Sequence, residues 1–267
     1  MEIIKVENLY AKYSKKLDYA ISDINLAVNA GEIVGLLGAN GAGKSTTLKC
    51  LTGMLEATSG DITICGNPLK TQPLKAKQCF SFVSDNHAVF LKMTGWQYLN
   101  FMADVYGVNA QTRKTVFDTL EKKFNLGDSI NSLIGGYSHG MKQKICMMGS
   151  LVHSPKLWIL DEPMLGLDQP TMNSVISLMK KYAAQGNSIL FSSHNLDVVK
   201  ALCDRVIVIE KGKIIADINI ATALKENESF DLKNYFSNKN ENDIEDNFED
   251  DIVLNKDDLP NNDNFNN

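Results

Sequence analysis

The sequence predicts an α/β fold with a mostly parallel core sheet, an antiparallel β part near the N-terminus and an inserted helical part. Three observations carry this. The apolar run Ile33-Val34-Gly35-Leu36-Leu37 leads directly into the glycine-rich stretch Gly38-Ala39-Asn40-Gly41-Ala42-Gly43-Lys44-Ser45-Thr46. A second continuous apolar run, Leu157-Trp158-Ile159-Leu160, ends in the acidic pair Asp161-Glu162, the pattern of a parallel strand buried on both faces. Between them, from Asp85 to about Ser154, apolar residues recur at helical period and strand signals are few.

Taken in order, residues 2–9 and 21–28 alternate loosely between apolar and polar, as two antiparallel strands would, around the polar turn Ser14-Lys15-Lys16. Ser45 to Met54 reads as a helix, Ser59 to Gly66 as turn, strand and turn, and Phe80-Ser81-Phe82-Val83 as a return to the sheet. The helical insertion, about 86–154, has segments near Trp96–Tyr106 and Thr112–Phe124. After the loop Leu133-Ile134-Gly135-Gly136 its last helix starts at Ser138 and runs to about Val152. Pro170 opens a further helix to about Ala184, and Ser188–Phe191 is a strand closed by Ser192-Ser193-His194. Arg205–Glu210 and Lys213–Ile215 form a hairpin around Lys211-Gly212. No internal repeat or heptad pattern is present.

Composition narrows the function classes. With 267 residues and 44% hydrophobic content the chain can bury a large core. No apolar run approaches the roughly 18 residues that cross a bilayer, and the N-terminus lacks signal-peptide architecture, so a cytosolic location is expected. The five cysteines show no C-x-x-C pair and the four histidines no metal-ligand spacing, which argues for reduced thiols and against a structural zinc site. The net charge of −5 is uneven: residues 231–267 carry −8 and the rest +3. That acidic tail also holds 11 asparagines, a composition too polar to offset the entropy of ordering, so disorder is expected beyond a folded domain of residues 1–230. The charge gives no reason to expect a nucleic-acid partner.

The glycine-rich stretch has the spacing G-x-x-x-x-G-K-S. Gly38, Gly41 and Gly43 let the backbone aim successive N–H groups at a polyphosphate, and the helix that follows adds its positive end. Lys44 would reach the β- and γ-phosphates and the Ser45 hydroxyl would sit on Mg²⁺. Asp161 and Glu162 stand where α/β sheets place their ligands. Asp161 would hold Mg²⁺ through water, and Glu162 would polarise the attacking water. Tyr13, just after the first strand, is a candidate platform for a base.

Together these stretches resemble the ATP-binding subunit of an ATP-binding cassette (ABC) transporter over about residues 2–225. Tyr137-Ser138-His139-Gly140-Met141 is similar to the family signature loop, Leu157–Glu162 to its Walker B strand, Gly166-Leu167-Asp168 to its D-loop, His194 to its switch histidine and Tyr13 to its adenine-stacking aromatic. Met-Lys-Gln-Lys after the signature is similar to the two-component exporter branch that moves drugs, peptides or lipid-linked molecules. The resemblance implies an ATPase fold with ATP bound across residues 38, 40–46 and 13, and Mg²⁺ held by Ser45, Asp161 and Asp85. It implies hydrolysis supported by Glu162, His194 and Asp85. A second ATP-binding subunit, identical or not, is implied, with Ser138, His139, Gly140 and Met141 acting on the partner's ATP and Asp168 in the D-loop. A separate transmembrane permease would hold the protein at the cytoplasmic face of the membrane. Two positions depart from the family pattern: His139 stands where glycine is usual and Asp85 where glutamine is usual. The competing readings are an ABC ATPase without a membrane partner and an ATP-binding sensor or immunity protein with weak turnover.

Overall fold

β1 (Glu2–Ala11) and β2 (Ile21–Asn29) pair antiparallel, with β4 (Ser59–Ile64) on the other side of β1 and the two-residue β5 (Asn67–Pro68) beyond it. Ile4, Val6, Leu9 and Ala11 are buried along β1 while Lys5 and Glu7 are exposed, so the loose alternation of the sequence is a one-faced antiparallel sheet. The structure, a computed structural model, describes residues 1–13, 18–85, 90–226 and 232. The turn expected at Ser14-Lys15-Lys16, the expected start of the helical insertion near residue 86 and the acidic tail apart from Leu232 lie outside the described residues. The chain divides into Met1–Glu226 and Asn227–Asn267, and the described strands and helices all lie in the first.

The second sheet has the order β10-β9-β3-β8-β7-β6. β3 (Ile33–Leu37) lies between β8 (Ser188–Ser193) and β9 (Arg205–Glu210), parallel to both, and β7 (Leu157–Leu160) runs parallel between β8 and β6 (Phe80–Val83). Every residue of β3, β7 and β8 is buried, which is why those runs carry no alternation in the sequence. β10 (Lys213–Asn219) closes the edge antiparallel to β9. It continues four residues past the expected end at Ile215, because it pairs with the full length of β9 as far as Arg205. Arg205 joins the sheets: its guanidinium bonds Glu32 at 2.7 Å, Asp217 at 2.8 Å and the carbonyl of Ala27.

α1 (Lys44–Leu51) ends before the expected Met54, because Gly53 turns left-handed (φ 68°) and the N–H groups of Gly53 and Leu55 close back on Cys50 and Lys49. The insertion contains α3 (Gly95–Val105), whose Thr94 and Gln97 form a capping box, α4 (Ala110–Phe124), capped by Asn109, and α5 (His139–Leu151), capped by Ser138. Its expected helices are present within two residues at each end, and the expected loop at 133–136 is a 3₁₀ turn over Ile134–Gly136. α6 (Gln169–Ala184) has its proline in the first turn. The sequence reading missed α2 (Pro73–Cys79), α7 (Leu196–Leu202) and α8 (Ile220–Glu226). Each has seven residues, two turns, too few to establish a period. None of the described helices is long and apolar enough to cross a membrane. The cysteines are unpaired in disulfides, with Cys50, Cys146 and Cys203 buried, and burial pushes the Cys50 thiol up to about 11 and that of Cys146 to about 12.

Trp158 fastens the helical insertion to the parallel sheet. It is fully buried in β7; its indole N–H donates to Ser150 Oγ on α5 at 2.9 Å, and its ring meets Tyr182 of α6 edge-on at 5.9 Å. Trp158→Ala should cost about 3–5 kcal/mol of unfolding free energy through the cavity it leaves. Urea unfolding measures this, and a loss under about 1 kcal/mol would show that the insertion is held elsewhere.

Candidate functional site

The carboxyl ends of β3, β7 and β8 converge on one cleft of about 470 Å³. The turn from β3 to α1 forms one wall. Gly43 caps α1 with φ 113°, and a Cβ there would come within 3.0 Å of Ile21 Cγ2 and 3.3 Å of the Gly212 backbone. Only glycine fits this close, left-handed approach. Having no side chain, it also leaves the first N–H groups of α1 to point outward with the helix's positive end. Residues 39–41 and 43–46 line the cleft together with Asp85, Glu162, Leu165 and His194.

Lys44, only 6% exposed, donates to the carbonyls of Gly38 at 2.7 Å and Ala39 at 3.2 Å, and its Nζ lies 3.5 Å from Glu162 Oε1. A buried ammonium turned along the loop in this way is a fixed positive charge at the base of the cleft. Glu162 also lies 3.1 Å, through Oε2, from His194 Nδ1. Its backbone sits at φ 47°, a conformation that costs a non-glycine residue energy and persists where its surroundings impose it. Here the Glu162 N–H donates to Ser192 Oγ at 2.9 Å.

Asp161 has no exposed surface. Its Oδ1 accepts from Ser45 Oγ at 3.1 Å and from Ser192 Oγ at 2.5 Å, while Oδ2 is buried without a partner. Burial raises its pKa, with the nearby Asp85 and Glu162 carboxylates adding to the rise and the two hydroxyl bonds opposing it. An orphaned carboxylate oxygen beside a serine hydroxyl fits a hard divalent cation. Among the described residues no cluster of three or more His, Cys, Asp or Glu could hold a metal. A cation at Asp161 and Ser45 would therefore draw most of its shell from phosphate and water, with Asp85 the other aspartate at the cleft.

The structure thus gathers Asn40, Gly41, Gly43, Lys44, Ser45, Thr46, Asp85, Glu162 and His194 around one cleft, with Asp161 beneath Ser45. Gly38 and Ala42 belong to the loop but face the sheet, giving their carbonyls to Lys44 and to the Gly212 N–H. Tyr13 stands at the edge, 40% exposed, its hydroxyl 3.3 Å from Thr46 Oγ1. Ser138, His139, Gly140 and Met141 do not line the cleft. Ser138 caps α5 by accepting from the Met141 N–H, and the His139 ring packs on Gly166 of its own chain. Asp168 caps α6 through the Thr171 N–H at 2.8 Å, and its bonds from Thr171 hold its carboxyl below the usual range.

Two contributors escaped the sequence reading. Ser192 is one: Leu160 pairs with Phe191, which sets Asp161 beside Ser192. The available signal was a hydroxyl two residues before His194 at a strand end. Gln143 is the other. It is fully buried on α5, and its amide donates to the Pro163 carbonyl at 2.9 Å.

A buried lysine in a glycine turn, facing an acidic strand end across a parallel sheet, is the geometry of the phosphate-loop nucleotide-binding class. Known proteins agree. The ABC transporter family model matches residues 21–165. The ABC transporter ATP-binding protein NatA of Bacillus subtilis (strain 168) is 34% identical over 226 residues, 84% of this chain and 92% of the relative. The SkfA peptide export ATP-binding protein SkfE of the same organism is 33% identical over 221 residues, 82% and 90% of the two chains. A solved structure of an ATP binding subunit of an ABC transporter superposes with a TM-score of 0.81 at 28% identity, covering 88% of this chain and 98% of that one. This chain belongs to the ABC transporter family, among its ATP-binding proteins.

The raised pKa of Asp161 has a stability consequence. The fold disfavours the carboxylate, so the native state binds the proton more tightly than the unfolded chain, whose group titrates near 3.8. The resulting penalty is fully present at neutral pH and disappears as pH falls below that value. Without nucleotide or metal, Asp161→Asn should melt above the parent at pH 7, with the gap closing as the medium is acidified. A variant melting below the parent at pH 7 would show that the carboxylate stabilises the fold.

Proposed function

We propose that this chain is the ATP-hydrolysing subunit of a membrane exporter and drives transport through ATP-dependent dimerisation. The observation that carries the reading is Glu162, poised at the end of β7 between Lys44 and His194 in the phosphate-loop cleft. With ATP seated, loop N–H groups and Lys44 would hold the β- and γ-phosphates, and Tyr13 would support the base. Glu162 would orient the attacking water and accept from it, steadied by His194 through Nδ1. Magnesium, held by Ser45, by Asp161 through water and by Asp85, would supply charge neutralisation at the phosphates.

The placement of the signature residues supports a dimer. Ser138 to Met141 stand at the N-terminus of α5 and outside their own cleft, which fits Ser138 and the first N–H groups of that helix meeting a γ-phosphate bound by a second subunit. ATP would then bridge two subunits and ADP would not, and hydrolysis would let the halves part. A separate permease would carry the membrane passage and place this subunit at the cytoplasmic face. SkfE, named for peptide export, supports the outward direction.

Replacing Glu162 by Gln keeps shape but removes the charge that accepts from water, so turnover should fall on the order of 10²-fold while ATP binding survives. Steady-state ATPase assays decide this, and parental turnover in the variant would remove Glu162 from the role. Saturating ATP at about 100 times its dissociation constant should stabilise the parent by roughly 2.7 kcal/mol, and Lys44→Ala should abolish that gain. Equal melting shifts in the two proteins would take Lys44 out of the phosphate site.

A further inference from the structure

We infer that His139 is a positioning residue for the loop 163–168, tying the first turn of α5 to the segment that leaves Glu162. The inference rests on the role proposed for Glu162. Gly166 adopts φ 75° and turns its bare face to the His139 imidazole: a Cβ built there would lie 2.9 Å from Nε2 and closer still to Cδ2. The ring therefore occupies the space where any other residue at 166 would carry its side chain. Gly140 lies over the same residue, since a Cβ built on it would stand 3.5 Å from the Gly166 carbonyl oxygen. One turn along the same face of the helix, the buried Gln143 amide holds the Pro163 carbonyl. Two side chains four residues apart thus grip one short loop at residues 163 and 166.

That loop begins at the reactive end of the site. Glu162 stands in a left-handed conformation held by Ser192, and three residues after Pro163 the chain meets the His139 ring before Asp168 caps α6. A strained residue keeps its orientation only while its neighbours over-determine it. Ser192 secures the Glu162 N–H from the sheet side, and Gln143 and His139 secure the following residues from the helix side. His139 is the outermost of these contacts, and it lies within the turn Ser138 to Met141. A contact made by that turn with a second subunit is accordingly passed through the ring and Gly166 to the backbone of Glu162. Glycine, usual in the family at this position, has no side chain to make the link.

A double-mutant cycle on the full-length chain tests this, with parent, His139→Gly, Gly166→Ala and the double variant, and with His139→Phe as the flat-ring replacement. The readouts are kcat and KM for ATP, and the Glu162 amide resonance recorded without nucleotide. His139→Gly should shift that resonance and lower kcat about five-fold with KM within about two-fold, because the phosphate loop is untouched. His139→Phe should restore both. Gly166→Ala should cost more beside the ring than in the His139→Gly background, the non-additivity expected of residues in contact. Parental kcat with an unmoved Glu162 resonance in His139→Gly would overturn the inference. So would equal costs of Gly166→Ala in the two backgrounds, or a joint change of kcat and KM that follows the loss of melting temperature and is not rescued by Phe. Should the parent fail to hydrolyse ATP, the proposed function falls, and the Glu162 resonance across the same variants still decides whether His139 positions the loop.

Discussion

The carboxylate of Asp161 accepts hydrogen bonds from Ser45 and Ser192, and those two bonds hold together the three segments from which the cleft is built. Ser45 belongs to the helix after β3, Asp161 follows β7, and Ser192 lies on β8 between them. A buried carboxylate costs free energy unless its oxygens are satisfied, and here one oxygen is bonded twice while the other is left bare. The fold carries this unfavourable term at the point where a cation would relieve it. Moving Asp161 would loosen the seat of α1 and the backbone of Glu162 together, since Ser192 bonds both acidic residues.

Around that tie, each wall of the cleft is held by an element with a separate structural reason to be where it is. The glycine turn is fixed from behind, where Ile21 of the antiparallel sheet and Gly212 of the edge hairpin crowd the Cα of Gly43. The loop after Glu162 is fixed from the helical insertion by Gln143 and His139. The antiparallel sheet, the parallel sheet and the insertion therefore all meet the cleft. The insertion is in turn pinned to β7 by Trp158, so the side chains that grip the 163–168 loop stand on a helix anchored to the strand from which that loop departs.

Much of the site was legible because its chemistry is local in sequence. G-x-x-x-x-G-K-S names its own backbone geometry, and an apolar run closed by Asp161-Glu162 names a buried strand with a polar end. The burial of β3 and β7 on both faces agrees with those runs. What stayed illegible was short or non-local. Helices of seven residues do not complete a period, the left-handed turn at Gly53 cut α1 short, and the length of β10 was set by its partner strand. Ser192 carried only a weak signal, a hydroxyl at a strand end two residues before His194, until strand register placed it beside Asp161.

By itself the sequence determined the fold class, the phosphate loop and the acidic strand end, because each rests on contacts between residues close in the chain or on burial that composition reveals, whereas His194 was marked only by the family resemblance. Only the tertiary structure decided which strands are neighbours, that Lys44 and His194 converge on Glu162, and that the left-handed Glu162 is held by a serine thirty residues away. It also decided where the His139 ring goes. A side chain at the start of a helix can face many surfaces, and the bare face of Gly166 became available to it only when α5 and the loop after β7 were packed together.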